Sequence, residues 1–283
     1  MRKLTICETP IDRFTIVTKA EPHPAEGKAA EFIKRIIEAS CGVALPVSSE
    51  GGEHNIYVGT REAHPDVKFD GFRTTTDDGS LYLDGNIPRG TLYAAYDFAE
   101  KYLSYRCFTH DTERIVTEGE SEVPTGLDKI DNPVFGIRRS DFGGYKGHPE
   151  CCTHRRLNVH REPIAEEFGG SPYWSLCHTM GSCFCLPEKY YKEHPEYYTL
   201  WEGERLPTRG SPTGYNGQLC LTNPDVLRIV TEEVLRMLRD NPHMKIADVS
   251  HADNQRYCTC ERCAAVDAEE ESHAGTMIRF VNA

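Results

Sequence analysis

The chain has 283 residues, with 32 Lys and Arg against 44 Asp and Glu, so its formal net charge is −12. The basic residues form no long run, which excludes a nucleic-acid backbone as the expected partner. No stretch approaches the roughly 20 apolar residues of a membrane helix, and the first residues lack the apolar core of a signal peptide. These features predict a cytoplasmic protein without a membrane or nucleic-acid partner.

The N-terminal part alternates short β-type runs with two amphipathic stretches. Residues 25–42 (AEGKAAEFIKRIIEASCG) predict a helix that ends at a Gly, and residues 89–108 (RGTLYAAYDFAEKYLSYRCF) predict a second helix that leads into an extended segment. The runs NIYVGT and SLYLDG between them are typical of strands closed by turns. The buried face of the first helix is expected to contain Ala29, Phe32, Ile33, Ile36 and Ile37. This order predicts a small α/β layer domain.

Polar, Gly and Pro residues replace the apolar periodicity in residues 117–133 (TEGESEVPTGLDKIDNP), a composition that is typical of a linker. We therefore expect two domains: an accessory α/β domain over residues 1–130 and a second domain over residues 131–283.

The second domain contains short extended runs and one strong helix. The helix is expected within NPDVLRIVTEEVLRMLRDNP, with Asn223 as its N-cap and Pro224 at its first position. The extended runs are VFGIRRSDF, RRLNVH, YWSLCHTM, GQLCLTN and KIADVSHAD. A strand, a helix and a further strand imply a parallel pair, as in a doubly wound sheet or a β/α barrel. No phosphate-binding GxGxxG or GxxxxGK[ST] motif is present, so the barrel is preferred.

The last residues, AGTMIRFVNA, read as the middle of a helix without a stop signal. A complete barrel usually needs roughly 250 residues, and only about 150 follow the linker. We therefore expect the first part of a (β/α)8 TIM-type barrel, truncated.

Asp253 is the main candidate for a catalytic group because it closes an apolar strand-type run, and barrel strands direct such side chains into the mouth. His251 and Asn254 are its neighbours and candidates for substrate binding. The alternative is an Asp that caps a loop or a helix. Glycosidic cleavage usually takes two carboxyl groups about 5 to 10 Å apart, and the second is not visible in this stretch.

Three cysteines follow this run as C-x-C-x-x-C: Cys258, Cys260 and Cys263. With Cys220 as the fourth ligand, they can converge on one soft metal ion, and we expect a structural zinc rather than a catalytic cofactor. A disulfide that pins the loop, free thiols and a redox site are the alternatives. A second group, Cys183 and Cys185 beside Cys177, is more typical of packing.

Two further residues are candidates for substrate binding. His178 follows the apolar run YWSL, and a neutral imidazole can bind a sugar hydroxyl. Arg138 follows the first run of the second domain, where one of two neighbouring arginines is expected to face the barrel mouth. A lone His is more often structural.

Several blocks of the sequence resemble a known family. They are IPRGTLYAAYDFAEKYLSYRCF, YYKEHPEYYTLWEGER, QLCLTNPDVL and SHADNQRYCTCERC with RFVNA. In this order they resemble the bacterial domain-of-unknown-function family 4838, part of which is classed as glycoside hydrolase family 163. The first domain also resembles the non-catalytic domain that precedes the barrel in α-glucuronidases and β-hexosaminidases.

The resemblance implies a (β/α)8 glycosidase of the endo-β-N-acetylglucosaminidase type, with an oligosaccharide or glycan as its partner. Asp253 would orient a 2-acetamido group or stabilise the transition state, while Asn254 and His178 would bind hydroxyls. Related hexosaminidases place two acidic residues together, whereas Asn254 follows Asp253 here, and the acid/base Glu is expected beyond Ala283. The fragment alone is therefore expected to be inactive. A non-catalytic carbohydrate-binding protein and a thiol-metal or redox protein are the other functions that the sequence allows, and it predicts no oligomeric state.

Overall fold

The computed structural model describes residues 1–140, 142–160, 162–174, 178–211, 214, 216–242, 244 and 246–283. The chain divides into two compact units, Met1–Ser171 and Pro172–Ala283. Over the described ranges, no helix combines the length and the apolar character that a bilayer span requires.

The described residues contain six α-helices and fifteen short strands. The helices are α1 (Pro24–Cys41), α2 (Pro88–Tyr102), α3 (Pro187–Tyr190), α4 (Pro224–Asp240), α5 (Glu261–Glu269) and α6 (His273–Asn282). The strands of the first unit are β1 (Lys3–Ile6), β2 (Thr9–Pro10), β3 (Phe14–Val17), β4 (Val47–Ser48), β5 (His54–Val58), β6 (Phe72–Asp77), β7 (Ser80–Gly85), β8 (Arg106–Cys107), β9 (Glu113–Arg114), β10 (Glu120–Val123) and β11 (Asp128–Asp131). Those of the second unit are β12 (Tyr173–Trp174), β13 (Thr199–Trp201), β14 (Glu204–Leu206) and β15 (Ile246–Ala247).

The first unit is built on a six-stranded sheet with the order β11-β6-β7-β5-β3-β4. Strands β4, β3, β5 and β7 run parallel, while β6 and β11 join by antiparallel pairing. Helices α1 and α2 pack against each other and against this sheet. The predicted α/β layer is therefore confirmed.

Helix α1 shows how the local sequence specifies this layer. His23 accepts a hydrogen bond from the backbone N–H of Ala25, and the Glu26 carboxylate accepts one from the backbone N–H of His23, so the first turn is capped from both sides. Gly42 ends the helix with φ 73°, a left-handed conformation that glycine adopts without strain. All five apolar residues predicted for its inner face are buried.

The first unit extends past the predicted linker because residues 131–171 pack onto it. The buried carboxylate of Asp70 accepts hydrogen bonds from Arg138 Nη2 at 2.7 Å and from Asn158 Nδ2 at 3.0 Å, and Arg89 Nη1 lies 3.7 Å away. The Tyr93 hydroxyl donates to a backbone carbonyl of the same segment. Because of these long-range contacts, the compact unit ends at residue 171 rather than near the predicted boundary at residue 130. Composition alone does not reveal such contacts.

The second unit contains one parallel strand pair, β12 with β15, among its described residues. Helix α4 lies between these strands in sequence, and the Asn223 side chain caps it by accepting from Asp225 N, as predicted. The run GQLCLTN forms an isolated antiparallel bridge from Leu219 to Tyr198 instead of a parallel strand. Mixed α/β structure is present, while the half barrel stays a prediction.

Candidate functional site

A cavity of about 170 Å³ is lined by residues that follow β12 and β15 in sequence, together with residues 208–209 and 218–219. Ends of parallel strands are the usual place for ligand sites in α/β folds. His178 follows β12 and Asp253 follows β15, so the structure brings these two predicted site residues to one cavity. The polar side chains around it are His178, Ser182, Thr208, Arg209, Gln218 and Asp253.

The two loops that form this cavity are joined by hydrogen bonds. The backbone N–H of His178 donates to Ser250 Oγ at 2.8 Å, and Met180 N donates to Ser250 O at 3.2 Å. The buried Thr179 hydroxyl donates to Asp248 O at 2.8 Å and accepts from Ser250 N at 3.1 Å. These contacts fix the positions of the loops because they satisfy backbone groups of both.

The imidazole of His178 has a defined orientation. Its Nδ1 lies 2.7 Å from the backbone carbonyl oxygen of His251. A carbonyl only accepts, so Nδ1 carries the proton, and in the neutral ring Nε2 is then the acceptor. His178 has φ 63°, an uncommon conformation for a non-glycine residue that the neighbouring contacts must hold.

Asp253 is exposed, and it lies further from its strand than the sequence predicts. Strand β15 contains only Ile246–Ala247, so the residues from Asp248 onward form the loop. The Asp248 carboxylate, the first acidic group after the strand, accepts a hydrogen bond from Ser250 Oγ at 2.8 Å and so supports the loop. Asp253 reaches the cavity through this loop and not as the last residue of a strand.

Gln218 is the residue that the sequence reasoning missed. It is 2% exposed, and its amide holds the backbone on both sides of Asp253. Its Nε2 donates to Ala252 O at 2.8 Å and to Asn254 O at 3.1 Å, while its Oε1 accepts from Ala252 N at 3.0 Å. The sequence feature that could have identified Gln218 is its position in QLCLTNPDVL, one of the blocks that carry the family resemblance.

Asn254 is used within its own loop. Its Oδ1 accepts from Arg256 N at 3.0 Å and from Gln218 Nε2 at 3.2 Å. This is an Asx-type turn, which is a common role of Asn in loops. The contacts give Asn254 a structural role, and binding of a sugar hydroxyl by this amide stays a prediction.

His251 lines a different cavity, of about 20 Å³, together with Tyr257, Asp267 and His273. That volume is sufficient for about one water molecule. Burial lowers the pKa of His251, and its Nε2 is buried without a hydrogen-bond partner among the described residues. The ring is therefore neutral near pH 7, and it shares no described cavity with His178.

Arg138 belongs to the first unit, Met1–Ser171. Besides the Asp70 carboxylate, its guanidinium donates to Arg156 O at 2.6 Å and to Phe135 O at 2.7 Å. These partners make it a structural residue that anchors the segment after the sheet. Substrate binding by Arg138 stays a prediction.

The four cysteines proposed as metal ligands lie together. Their sulfur atoms are all within 4.8 Å of one another; they belong to Cys220, Cys258, Cys260 and Cys263. Hydrogen bonds from the thiols of Cys220 and Cys263 lower the pKa of Cys258. Of the second group, Cys185 is buried, which raises its pKa to about 11, Cys183 is exposed, and Cys177 lies outside the described residues.

Residues 107–283 match the sequence profile of a domain of unknown function, DUF4838. No curated protein matches the chain.

Several solved structures of glycoside hydrolases are similar to this chain. One is a GH115 4-O-methyl-α-glucuronidase with specificity for decorated arabinogalactans (12% identity, 94% of this chain, TM-score 0.49). Others are the GH20 β-N-acetylhexosaminidase from Streptomyces coelicolor A3(2) (11% identity, 84% of this chain, TM-score 0.39) and a GH138 enzyme targeting pectin rhamnogalacturonan II (15% identity, 44% of this chain, TM-score 0.32). The chain spans 40%, 42% and 12% of these three proteins, respectively.

Proposed function

The chain belongs to the DUF4838 family, which the sequence resemblance links in part to glycoside hydrolase family 163, and we propose that it forms part of a glycoside hydrolase. Its expected substrates are N-acetylglucosamine-containing or related glycans. One observation carries the proposal: His178 and Asp253, selected from sequence, line a single cavity, and each follows one strand of a parallel pair in sequence. Active groups of β/α enzymes are placed at such strand ends.

The chemistry of the cavity suits a sugar ring. The His178 imidazole accepts a hydrogen bond from a hydroxyl through Nε2, since Nδ1 is engaged by a carbonyl. The Asp253 carboxylate would stabilise positive charge that develops at the anomeric carbon, or accept a hydrogen bond from an acetamido N–H. Buried Gln218 holds the backbone of Ala252, the residue before Asp253, in place.

Hydrolysis requires a second group. Asp253 is the one carboxylate among the described residues that line the cavity, while glycosidases generally use two. We therefore expect residues 1–283 to bind glycans and to hydrolyse them very slowly, because general acid catalysis contributes roughly 10² to 10⁴ in rate. The same observation favours a second candidate, a carbohydrate-binding protein without catalysis.

Binding is tested with the 283-residue chain and an N-acetylglucosamine oligosaccharide by titration calorimetry. Asp253→Asn should weaken binding, whereas Asp12→Asn, which changes an exposed carboxylate of the first unit, should not. No binding by the correctly folded chain would refute a glycan site in this cavity.

Turnover of a fluorogenic N-acetylglucosaminide by the protein separates the two candidates. If Asp253 stabilises the transition state, Asp253→Asn lowers kcat by about 100-fold or more, equal to about 2.7 kcal/mol. Binding without turnover of any N-acetylglucosaminide would favour the carbohydrate-binding protein.

A further inference from the structure

Four thiols from two separate segments of the second unit converge in the structure. Cys220 precedes α4, Cys258 and Cys260 lie in the loop before α5, and Cys263 is in the first turn of α5. Three of the four are buried, and Cys260 is half-buried. Cys220 is 38 residues from Cys258 (258 − 220), so tertiary folding rather than local sequence brings the sulfurs within 4.8 Å of one another.

The distances between the sulfur atoms fit a shared metal ion. Cys220 Sγ lies 3.7 Å from Cys260 Sγ and 3.8 Å from Cys263 Sγ. Four thiolates at about 2.3 Å from a zinc ion in tetrahedral geometry have sulfur atoms about 3.8 Å apart. A disulfide bond would need about 2.05 Å and would use only two of the four residues. All four cysteines are free thiols.

Hydrogen-bond donors lie beside the sulfur atoms, as is expected around metal-bound thiolates. Leu200 N donates to Cys258 Sγ at 3.4 Å, and Arg205 Nη1 lies 3.9 Å from the same sulfur. Thr222 Oγ1 lies 3.1 Å from Cys263 Sγ. Zinc with four thiolates has a formal charge of 2 − 4 = −2. Donors and a guanidinium beside the sulfurs stabilise that charge in a mostly buried position.

We propose that Cys220, Cys258, Cys260 and Cys263 bind one zinc ion that fixes the loop carrying Asp253. Soft thiolate ligands in a tetrahedral set select zinc over magnesium or calcium. Four protein ligands leave no open position for a substrate, so the ion is structural. The assignment depends only on the cysteines and stands whether or not the cavity binds glycans.

The location of the site explains what the metal stabilises. Gln218 holds Ala252 and Asn254, and Cys220, two residues later, would hold the downstream end of the same loop through the metal. Between these points, Thr199 Oγ1 donates to Arg256 O at 3.0 Å. Residues 218–220 would thus hold both ends of this loop, one through the Gln218 amide and the other through the metal.

Metal content tests the proposal directly. The full 283-residue chain, purified under reducing conditions and supplied with zinc chloride, should contain about one zinc per chain. The Cys260→Ser variant should contain less than one zinc per chain. Cys260 is the least buried of the four ligands, so of the four substitutions this one should disturb folding least. Cys183→Ser, which changes an exposed cysteine outside the cluster, should keep the full content.

Two further measurements distinguish the alternatives. Cobalt(II) reconstitution of the metal-free chain should give the intense visible bands of a tetrahedral thiolate site, which Cys183→Ser retains. Removal of zinc by a chelator should increase hydrogen exchange in residues 249–257, a readout that needs no enzyme activity and no variant. Absence of zinc, preference for iron, or a thiol titration that shows the four cysteines oxidised in pairs would each overturn the proposal.

Discussion

The side-chain amide of Gln218 pairs with the backbone of Ala252 through two hydrogen bonds, as a neighbouring strand would. Nε2 donates to Ala252 O at 2.8 Å, and Oε1 accepts from Ala252 N at 3.0 Å. Because Ala252 precedes Asp253, a residue 34 positions earlier in the chain defines the backbone that presents the carboxylate. The pair also satisfies the backbone N–H of Ala252, whose carbonyl oxygen accepts a second hydrogen bond from Asn254 N at 2.9 Å.

The first prediction concerns this pair. Gln218→Ala removes both hydrogen bonds, so we expect a loss of about 1–3 kcal/mol in the stability of the second unit and weaker glycan binding. Gln255→Ala, which changes an exposed glutamine of the same loop, should leave both unchanged. Denaturant unfolding and titration with an N-acetylglucosamine oligosaccharide provide the measurements. Equal behaviour of the two variants would show that the amide pair does not hold the loop.

The second prediction concerns Asp70, whose side chain is 2% exposed between Arg89 and Arg138. Asp70→Asn leaves two guanidinium groups without their countercharge, and loss of one partner from a buried ion pair costs about 3–5 kcal/mol. Glu120→Gln removes a fully exposed partner of Lys3 and should have little effect. Urea unfolding of both variants tests the difference; a small loss for Asp70→Asn would contradict the structural role of the cluster.

The third prediction concerns pH. Burial and the neighbouring Arg156 lower the pKa of His154 to about 4, and its ring stacks on Tyr96 with centroids 4.0 Å apart. The unfolded chain, with a His pKa near 6.5, binds the proton first, so stability falls as the pH drops from about 6.5 towards 4. The contribution of this group is up to about 3 kcal/mol.

A variant isolates this effect from other titrating groups. His154→Phe keeps an aromatic ring against Tyr96 and removes the proton site. The stability of the natural chain relative to the variant should therefore decrease between pH 7.5 and pH 5, as measured by denaturant unfolding. A constant difference across this range would mean that His154 is not buried in its neutral form.

The fourth prediction concerns Gly181, which lines the candidate cavity. A Cβ at this position would lie 2.2 Å from the Thr208 side chain, which is buried and donates a hydrogen bond to Gly181 O. Gly181→Ala should therefore destabilise the second unit by about 1–3 kcal/mol. Gly27→Ala has open space within α1 and should stabilise the first unit by about 0.5–1 kcal/mol. Thermal unfolding of both variants tests the contrast.

The elements that sequence patterns predicted well are those with local signals. The apolar face and the Gly42 end of α1, and the Asn223 cap of α4, follow from residues within a few positions of each other. The fold of residues 131–171 onto the first unit depends on Asp70, an isolated acidic residue that no periodicity marks. The local composition therefore predicted a linker at residues 117–133, whereas tertiary contacts extend the first unit to residue 171.

The candidate site shows the same limit. The spacing of Cys258, Cys260 and Cys263 indicated a cluster, and Cys220 is indeed beside them. By contrast, the role of Gln218 depends on hydrogen bonds across 34 positions, and the Arg138 guanidinium donates a hydrogen bond to Asp70, 68 positions earlier in the chain. Contacts of this kind depend on the three-dimensional arrangement of segments that are distant in sequence.

The charge cluster around Asp70 also determines where the protein can be divided for separate study. A fragment of residues 1–130 would keep Asp70 and Arg89 but lose Arg138 and Asn158, as well as the carbonyls of residues 169–170, each 2.5 Å from Arg89 Nη2. Its buried arginine and aspartate would then lack most of their partners, which favours unfolding and aggregation of the product. Expression of the first unit as a separate piece should accordingly require a cut after Ser171.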